Sequence, residues 1–210
     1  LNSMKFRKLR YRNSLGTDLE IGLPKGHIWT AGGETSKDGA YFVANMPTEE
    51  VFTLPKKDEV NGIVYSSKPF CYGGNLIENF YLKFENGRVV EAGAEKGEEI
   101  LIKLLDSDDG ARYLGEVALV PYDSPISNSN TIFYNTLFDE NASCHLALGQ
   151  AYPVCLEGGS EMNEDELKKN GVNISMVHED FMVGTSDLEI VGITEDGEEI
   201  LIMKDGNFCK

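Results

Sequence analysis

Short runs of β-branched and aromatic residues, punctuated by turn dipeptides, dominate this chain and leave little room for any fold not built on antiparallel sheet. Such runs cover residues 6–11, 18–23, 62–66, 80–84, 88–92, 117–121, 173–177 and 188–193. Asn86-Gly87 falls between Leu82-Lys83-Phe84 and Val89-Val90, the arrangement of a tight hairpin, and Asp196-Gly197 and Asp205-Gly206 predict a closing meander. Two segments have helical spacing instead. Residues 95–105 carry a stripe of Ile100, Leu101, Leu104 and Leu105, and residues 163–169 open on Asn163 with Glu166 placed to complete a capping box. Residues 143–151 are a third helix candidate. Strand-helix-strand alternation is scarce, so the expected class is α+β, mainly antiparallel β-sheet with two or three helices.

Charge narrows the function. The chain has 19 Lys+Arg against 35 Asp+Glu, a formal net charge of -16 at pH 7. A surface of that sign repels nucleic acid and anionic membrane, so neither is expected as a partner, whereas cations and protonated amines are favoured. No stretch reaches the roughly 20 apolar residues of a membrane helix, and Leu1-Asn2-Ser3-Met4-Lys5 lacks a signal peptide's apolar core. A cytoplasmic protein is expected, and its opening directly on a strand suggests that another segment precedes it. Cys71, Cys144, Cys155 and Cys209 are far apart, with no C-x-x-C spacing, and read as buried or incidental thiols. The chain has no G-x-x-x-x-G-K-[ST], no strand-linked G-x-G-x-x-G, no G-x-S-x-G and no H-E-x-x-H. Nucleotide binding and serine hydrolysis lose support accordingly.

What remains is a set of carboxylates and histidines in apolar settings. In Met176-Val177-His178-Glu179-Asp180-Phe181-Met182, strand alternation sends His178 and Asp180 to one face and Glu179 to the other. That is metal-site geometry, although a histidine bonded to a neighbouring carboxylate on a wet sheet face has the same spacing. His145 lies in the small and apolar segment Ala142-Ser-Cys-His-Leu-Ala-Leu-Gly149, and taken alone reads as a satisfied core histidine more readily than as a ligand. Tyr152 shares its face if the segment is helical and opposes it if the segment is a strand. His27, in an apparent loop, reads as a surface residue. Glu116 and Glu50 each stand just before an apolar run without a neighbouring Lys or Arg, and Glu49 points away from Glu50. Burying such carboxylates is costly unless a cation meets them. Together these residues form an N/O donor set suited to zinc, cobalt or manganese, and bridging carboxylates would let it hold two ions about 3.5 to 4 Å apart.

Four blocks carry a family resemblance: Pro47-Thr-Glu-Glu-Val-Phe-Thr53, Gly115-Glu-Val-Ala-Leu-Val120, Asn135-Thr-Leu-Phe-Asp-Glu-Asn-Ala-Ser-Cys-His-Leu-Ala-Leu-Gly149 with Ala151-Tyr152-Pro153, and His178-Glu-Asp-Phe-Met-Val-Gly184. In order and from end to end they closely resemble the thermophilic-aminopeptidase family, and Asn13-Ser-Leu-Gly-Thr-Asp18 is similar to its pattern too. The resemblance implies a metal-dependent aminopeptidase acting on peptides with a free N-terminus. It places the ligands of two divalent ions, zinc or cobalt ahead of magnesium or manganese, on Glu50, Glu116, His145, His178 and Asp180, and an active-site tyrosine on Tyr152. Glu50 or Glu116 would shuttle the proton. The family enzyme is a longer homodimeric chain, so residues 1–210 read as its catalytic metal-binding domain without the N-terminal domain. The alternatives are an acidic β-rich interaction domain with a structural metal, or another two-metal hydrolase. An anionic substrate such as a phosphatase takes would suit the charge poorly.

Overall fold

The computed structural model describes residues 1–44 and 49–209, so Pro47 and Thr48 of the first family-like block lie outside the described residues. In chain order, β1 (Phe6–Arg12), β2 (Asp18–Gly22), β3 (Gly33–Thr35), β4 (Tyr41–Val43), β5 (Val51–Thr53), β6 (Val60–Tyr65), β7 (Phe70–Tyr72), β8 (Asn75–Glu85) and β9 (Arg88–Lys96) lead to helix α1 (Glu98–Leu105). Strands β10 (Leu114–Leu119), β11 (His145–Gly149), β12 (His178–Met182), β13 (Glu189–Thr194), β14 (Glu199–Lys204) and β15 (Asn207–Phe208) follow. Helices α2 (Pro125–Asn128), α3 (Thr136–Asp139) and α4 (Glu164–Lys169) lie between them. A nine-stranded sheet runs β15-β14-β13-β1-β2-β6-β8-β7 with β9 on β8, a four-stranded sheet runs β12-β11-β10-β5, and β3 and β4 form a separate hairpin. Every strand pairing among the described residues is antiparallel, as the α+β expectation requires.

Local chemistry explains the boundaries. Asn86 and Gly87 take φ 49 and 82, and Asp205 and Gly206 take φ 50 and 71, the left-handed pairs that hairpin turns demand. Gly97, at φ 80, stops β9 and opens α1. The predicted helix 95–105 therefore starts later than expected, because its first residues extend β9. Helix α4 has the full capping box, with Asn163 accepting from the Glu166 N–H and the Glu166 side chain accepting from the Asn163 N–H.

Two expectations fail. Residues 143–151 are not a helix: they hold β11, an interior strand whose residues are all buried. A strand covered on both faces shows no polar alternation, so its Ala- and Leu-rich run imitates a buried helix. Residues 173–177 are not a strand either. Side chains pin this segment in place of a ladder: Asn173 Nδ2 donates to the Gly110 and Gly149 carbonyls at 2.8 and 2.6 Å, and Asp108 accepts from the Met176 N–H and the Ser175 hydroxyl. The strand begins only at His178.

The two large sheets share one apolar core. Leu9, Leu19, Phe80 and Phe84 come from the nine-stranded sheet, Leu104 and Leu105 from α1, and Val117, Leu146, Leu148 and Phe181 from the four-stranded sheet. Phe181 meets Phe80 across the interface with ring centroids 5.4 Å apart. A smaller core of Leu54, Ala151, Cys155, Leu156, Leu167 and Val172 lies under α4. Because Phe181 is buried where the sheets meet, Phe181→Ala should cost about 3 to 5 kcal/mol in urea unfolding. A loss below about 1 kcal/mol would show that the sheets do not depend on this contact for their packing.

Candidate metal centre

The four-stranded sheet has one apolar face and one polar face, and its register decides which residues share the polar one. Val117 pairs with Leu146, and Leu146 with Phe181, all facing the core. On the other face Glu116 pairs with Ala147, Ala147 with Asp180, Ala118 with His145, and Gly149 with His178. Small residues thus floor the centre while the ionisable ones rise from its edges. Glu116 lies inside β10, not before it as the sequence suggested, and a bulge puts it on this face. Leu114 pairs with Leu148 and Glu116 with Ala147, so Gly115 is the extra residue that breaks the alternation. A Cβ on Gly115 would lie 2.3 Å from the Gln150 carbonyl oxygen, so the bulge requires glycine.

All five expected ligands converge here. His145 Nε2 lies 3.1 Å from Glu50 Oε1 and 3.5 Å from Glu116 Oε1, and His178 Nε2 lies 3.7 Å from Glu116 Oε2 and 3.5 Å from Asp180 Oδ1. Glu49, by contrast, is exposed. Tyr152 also reaches the centre, its ring centroid 4.6 Å from that of His178 and 6.2 Å from that of Phe52. His27 takes no part. It is half-buried, not the surface residue expected, because its Nδ1 donates to the Pro24 carbonyl and its backbone bridges to Leu156.

One further carboxylate joins them. Glu140 forms a group with His145 and Asp180 whose ligand atoms lie within 4.8 Å of one another, as do those of Glu50, Glu116 and His145 and those of Glu116, His178 and Asp180. Sequence reasoning missed Glu140 because it sits in a 3-10 turn, Glu140–Ala142, where no periodicity marks a facing side chain. The available signal was its place upstream of His145 in the block already quoted.

The donor set fits a cation. Nδ1 of His145 lies 3.0 Å from the Ser143 carbonyl oxygen and Nδ1 of His178 lies 2.7 Å from that of Gln150. A carbonyl only accepts, so each Nδ1 donates and each Nε2 is left facing the carboxylates. A bare Nε2 lone pair there would repel them; a proton or a metal ion resolves the clash. His145 Nε2 and Asp180 Oδ1 are buried and make no aligned hydrogen bond. Four carboxylates and two imidazolium groups would sum to -4 + 2 = -2, and no Lys or Arg forms an ion pair with Glu50, Glu116 or Asp180 among the described residues.

Proton affinities record this crowding. Burial pushes Glu116 upward, and burial together with the Asp180 charge pushes Glu140 up to about 8. Burial would lower both histidines, but the neighbouring carboxylates prevail: Glu116 and Glu50 hold His145 well above its usual range, and Asp180 lifts His178 to about 9. Burial would raise Asp180, but the imidazoles of His178, beside it, and of His145 hold it below the ordinary aspartate range.

Comparison with known proteins agrees with this geometry. A family profile described as thermophilic metalloprotease (M29) matches residues 1–208. Aminopeptidase AmpS of Bacillus subtilis (strain 168) is 58% identical over 209 residues, covering 100% of this chain and 51% of that protein. Aminopeptidase T of Thermus aquaticus is 47% identical over 208 residues, covering 99% of this chain and 50% of its own length. The chain therefore spans about half the length of these curated relatives. The solved structure of wild-type AmpT from Thermus thermophilus superposes with a TM-score of 0.92 at 46% identity, over 100% of this chain and 51% of that one. A 2,5-dihydroxypyridine dioxygenase from Pseudomonas putida KT2440 shares the fold alone, with a TM-score of 0.63 at 14% identity, over 99% of this chain and 56% of that one.

Metal binding must displace the protons held by Glu140, His145 and His178 at neutral pH, since only the deprotonated forms ligate. Apparent affinity for a divalent ion should therefore rise from about pH 6 to about pH 9. Calorimetry in buffers of different ionisation enthalpy should show proton release that fades toward the upper end. Affinity independent of pH across that window would contradict the raised proton affinities.

Proposed function

The chain belongs to the thermophilic metalloprotease (M29) family, and from that premise we propose that residues 1–210 are the catalytic metal-binding domain of an aminopeptidase that hydrolyses the N-terminal peptide bond of peptides. The observation that carries this reading is the surplus negative charge of a centre whose imidazole Nε2 atoms face carboxylates. Glu50, Glu116, His145, His178 and Asp180, joined by Glu140, would hold two divalent ions, zinc or cobalt before magnesium or manganese. Such ions supply a water activated near neutral pH and polarisation of the scissile carbonyl.

The chain's own groups supply the rest. Glu50 or Glu116 takes the proton of the attacking water and passes it to the leaving amine; Glu116, pushed up by burial, is better matched to neutral pH. Burial pushes the Tyr152 hydroxyl up to about 12, which keeps it protonated and able to donate to the developing oxyanion. The negative charge left at the centre favours the substrate's α-ammonium group and hence chain ends. A cytoplasmic location is supported by four cysteines that form no disulfide, and by the want of any helix, among the described residues, long and apolar enough to cross a membrane. A homodimer of the longer protein is carried by the family resemblance.

In the full-length protein, His178→Ala and Asp180→Ala should lower aminoacyl-p-nitroanilide hydrolysis by more than the roughly hundredfold that changes around metal ligands reach. Glu179→Ala should leave it nearly unchanged, because Glu179 pairs with Leu148 on the opposite face. Equal losses in all three folded variants would refute the assignment of faces.

The isolated chain offers a second test. An exopeptidase needs walls that admit only a chain end and orient its first peptide bond. If the half of the relatives' length that this chain does not span supplies them, this chain should bind cobalt or zinc yet turn over far more slowly than a full-length relative in the same assay. Comparable turnover would make this half a self-sufficient enzyme.

A further inference from the structure

Away from the histidine and carboxylate centre, a cavity of about 630 Å³ opens between the start of β1, the turn before His27, Lys56 and the end of α4. We propose that this cavity is a binding site for a small polyanion of the phosphate class. It shares no lining residue with the centre, and its volume falls within the roughly 300 to 1,000 Å³ typical of ligand sites.

Its charge runs against that of the chain. Lys5, Arg7, Lys25, Lys56 and Lys169 line it, five of the 19 Lys and Arg in a protein of net charge -16. Glu157 and Glu195 line it with the opposite sign, and one further carboxylate, Glu59, serves two of the five cations, so five minus three leaves +2. Arg7 and Lys56 are both satisfied by Glu59, which pairs with each of them. Lys5, Lys25 and Lys169 have no ion pair among the described residues, and Lys25 and Lys169 are exposed. Glu157 leans toward Gly26, where a Cβ would come within 3.4 Å of its carboxylate. Ammonium groups gathered about one concavity repel one another, and the concavity focuses their field. A multiply charged anion relieves that repulsion, and lysine meets phosphate as a point charge without bidentate geometry.

The cavity is tied mechanically to the centre's aromatic wall. His27 bridges to Leu156 and Thr30 to Phe52, while the Ile28 N–H donates to the Cys155 carbonyl at 2.7 Å and the Glu157 N–H to the Gly26 carbonyl at 2.9 Å. An anion seated against Lys25 therefore braces the segment that holds Phe52 and the turn after Tyr152. Occupancy should appear as thermal stabilisation.

The test titrates inorganic phosphate into the metal-free 210-residue chain at constant ionic strength, reading the unfolding midpoint and backbone amide shifts. A saturable rise in midpoint is expected, with shifts at Gly26, His27 and Asn170. The double variant K25A/K169A should bind phosphate at least about tenfold more weakly, the scale of two lost charge-assisted contacts. K37A/K204A, which removes the same charge elsewhere, should bind as the parent does. All these side chains are exposed, so the unfolding midpoints without phosphate should agree. No saturable response in the parent chain, or an equal response in K25A/K169A, overturns the proposal, the latter by locating the anion elsewhere.

Discussion

The repulsion among four buried or half-buried carboxylates, three of which (Glu50, Glu116 and Asp180) meet no lysine or arginine among the described residues, governs this structure. Left in an apolar setting, ionised carboxylates would draw water in or take up protons. The protein restrains them instead with a rigid sheet and with two imidazoles whose Nδ1 atoms are held by backbone carbonyls. The cost falls on the proton affinities, with Glu140 near 8 and His178 near 9. A centre in that condition is poised to exchange protons for a divalent cation.

That arrangement depends on details of sheet geometry. The bulge at Gly115 separates Leu114, which faces the core, from Glu116, which faces the centre, although the two are only two residues apart. Without it strand alternation would send both to the same side. Gly149 is equally constrained: at φ 101, a Cβ there would lie 2.1 Å from the Val177 carbonyl oxygen, beside the strand that carries His178. On the opposite face Leu146 and Phe181 anchor the same strands in the shared core, so packing energy fixes the positions of the ionisable side chains.

Much of this was legible from residues. His178 and Asp180 share a face because strands have a period of two, and Glu179 was excluded by the same argument. His145 was the harder case, since its run looked helical, and only pairing β11 between β10 and β12 shows why an interior strand can be apolar throughout. Glu140 escaped notice because a turn has no periodicity. Residues 173–177 were misread because their composition suits a ladder while the N–H groups of Ser175, Met176 and Val177 are met by the Gln150, Asp108 and Ser175 side chains.

The sequence by itself determined the antiparallel class, the hairpin turns at Asn86-Gly87 and Asp205-Gly206, and the five donors that resemble a known ligand set, because local propensity, alternation and residue chemistry are properties of neighbours along the chain. Tertiary structure alone decided that Glu140 stands beside His145 and Asp180, that Gly115 turns Glu116 inward, and that lysines as distant as Lys5 and Lys169 surround one cavity. Those facts depend on which strands pair and in what register, and a register is set by the packing of whole sheets, which no local stretch of residues encodes.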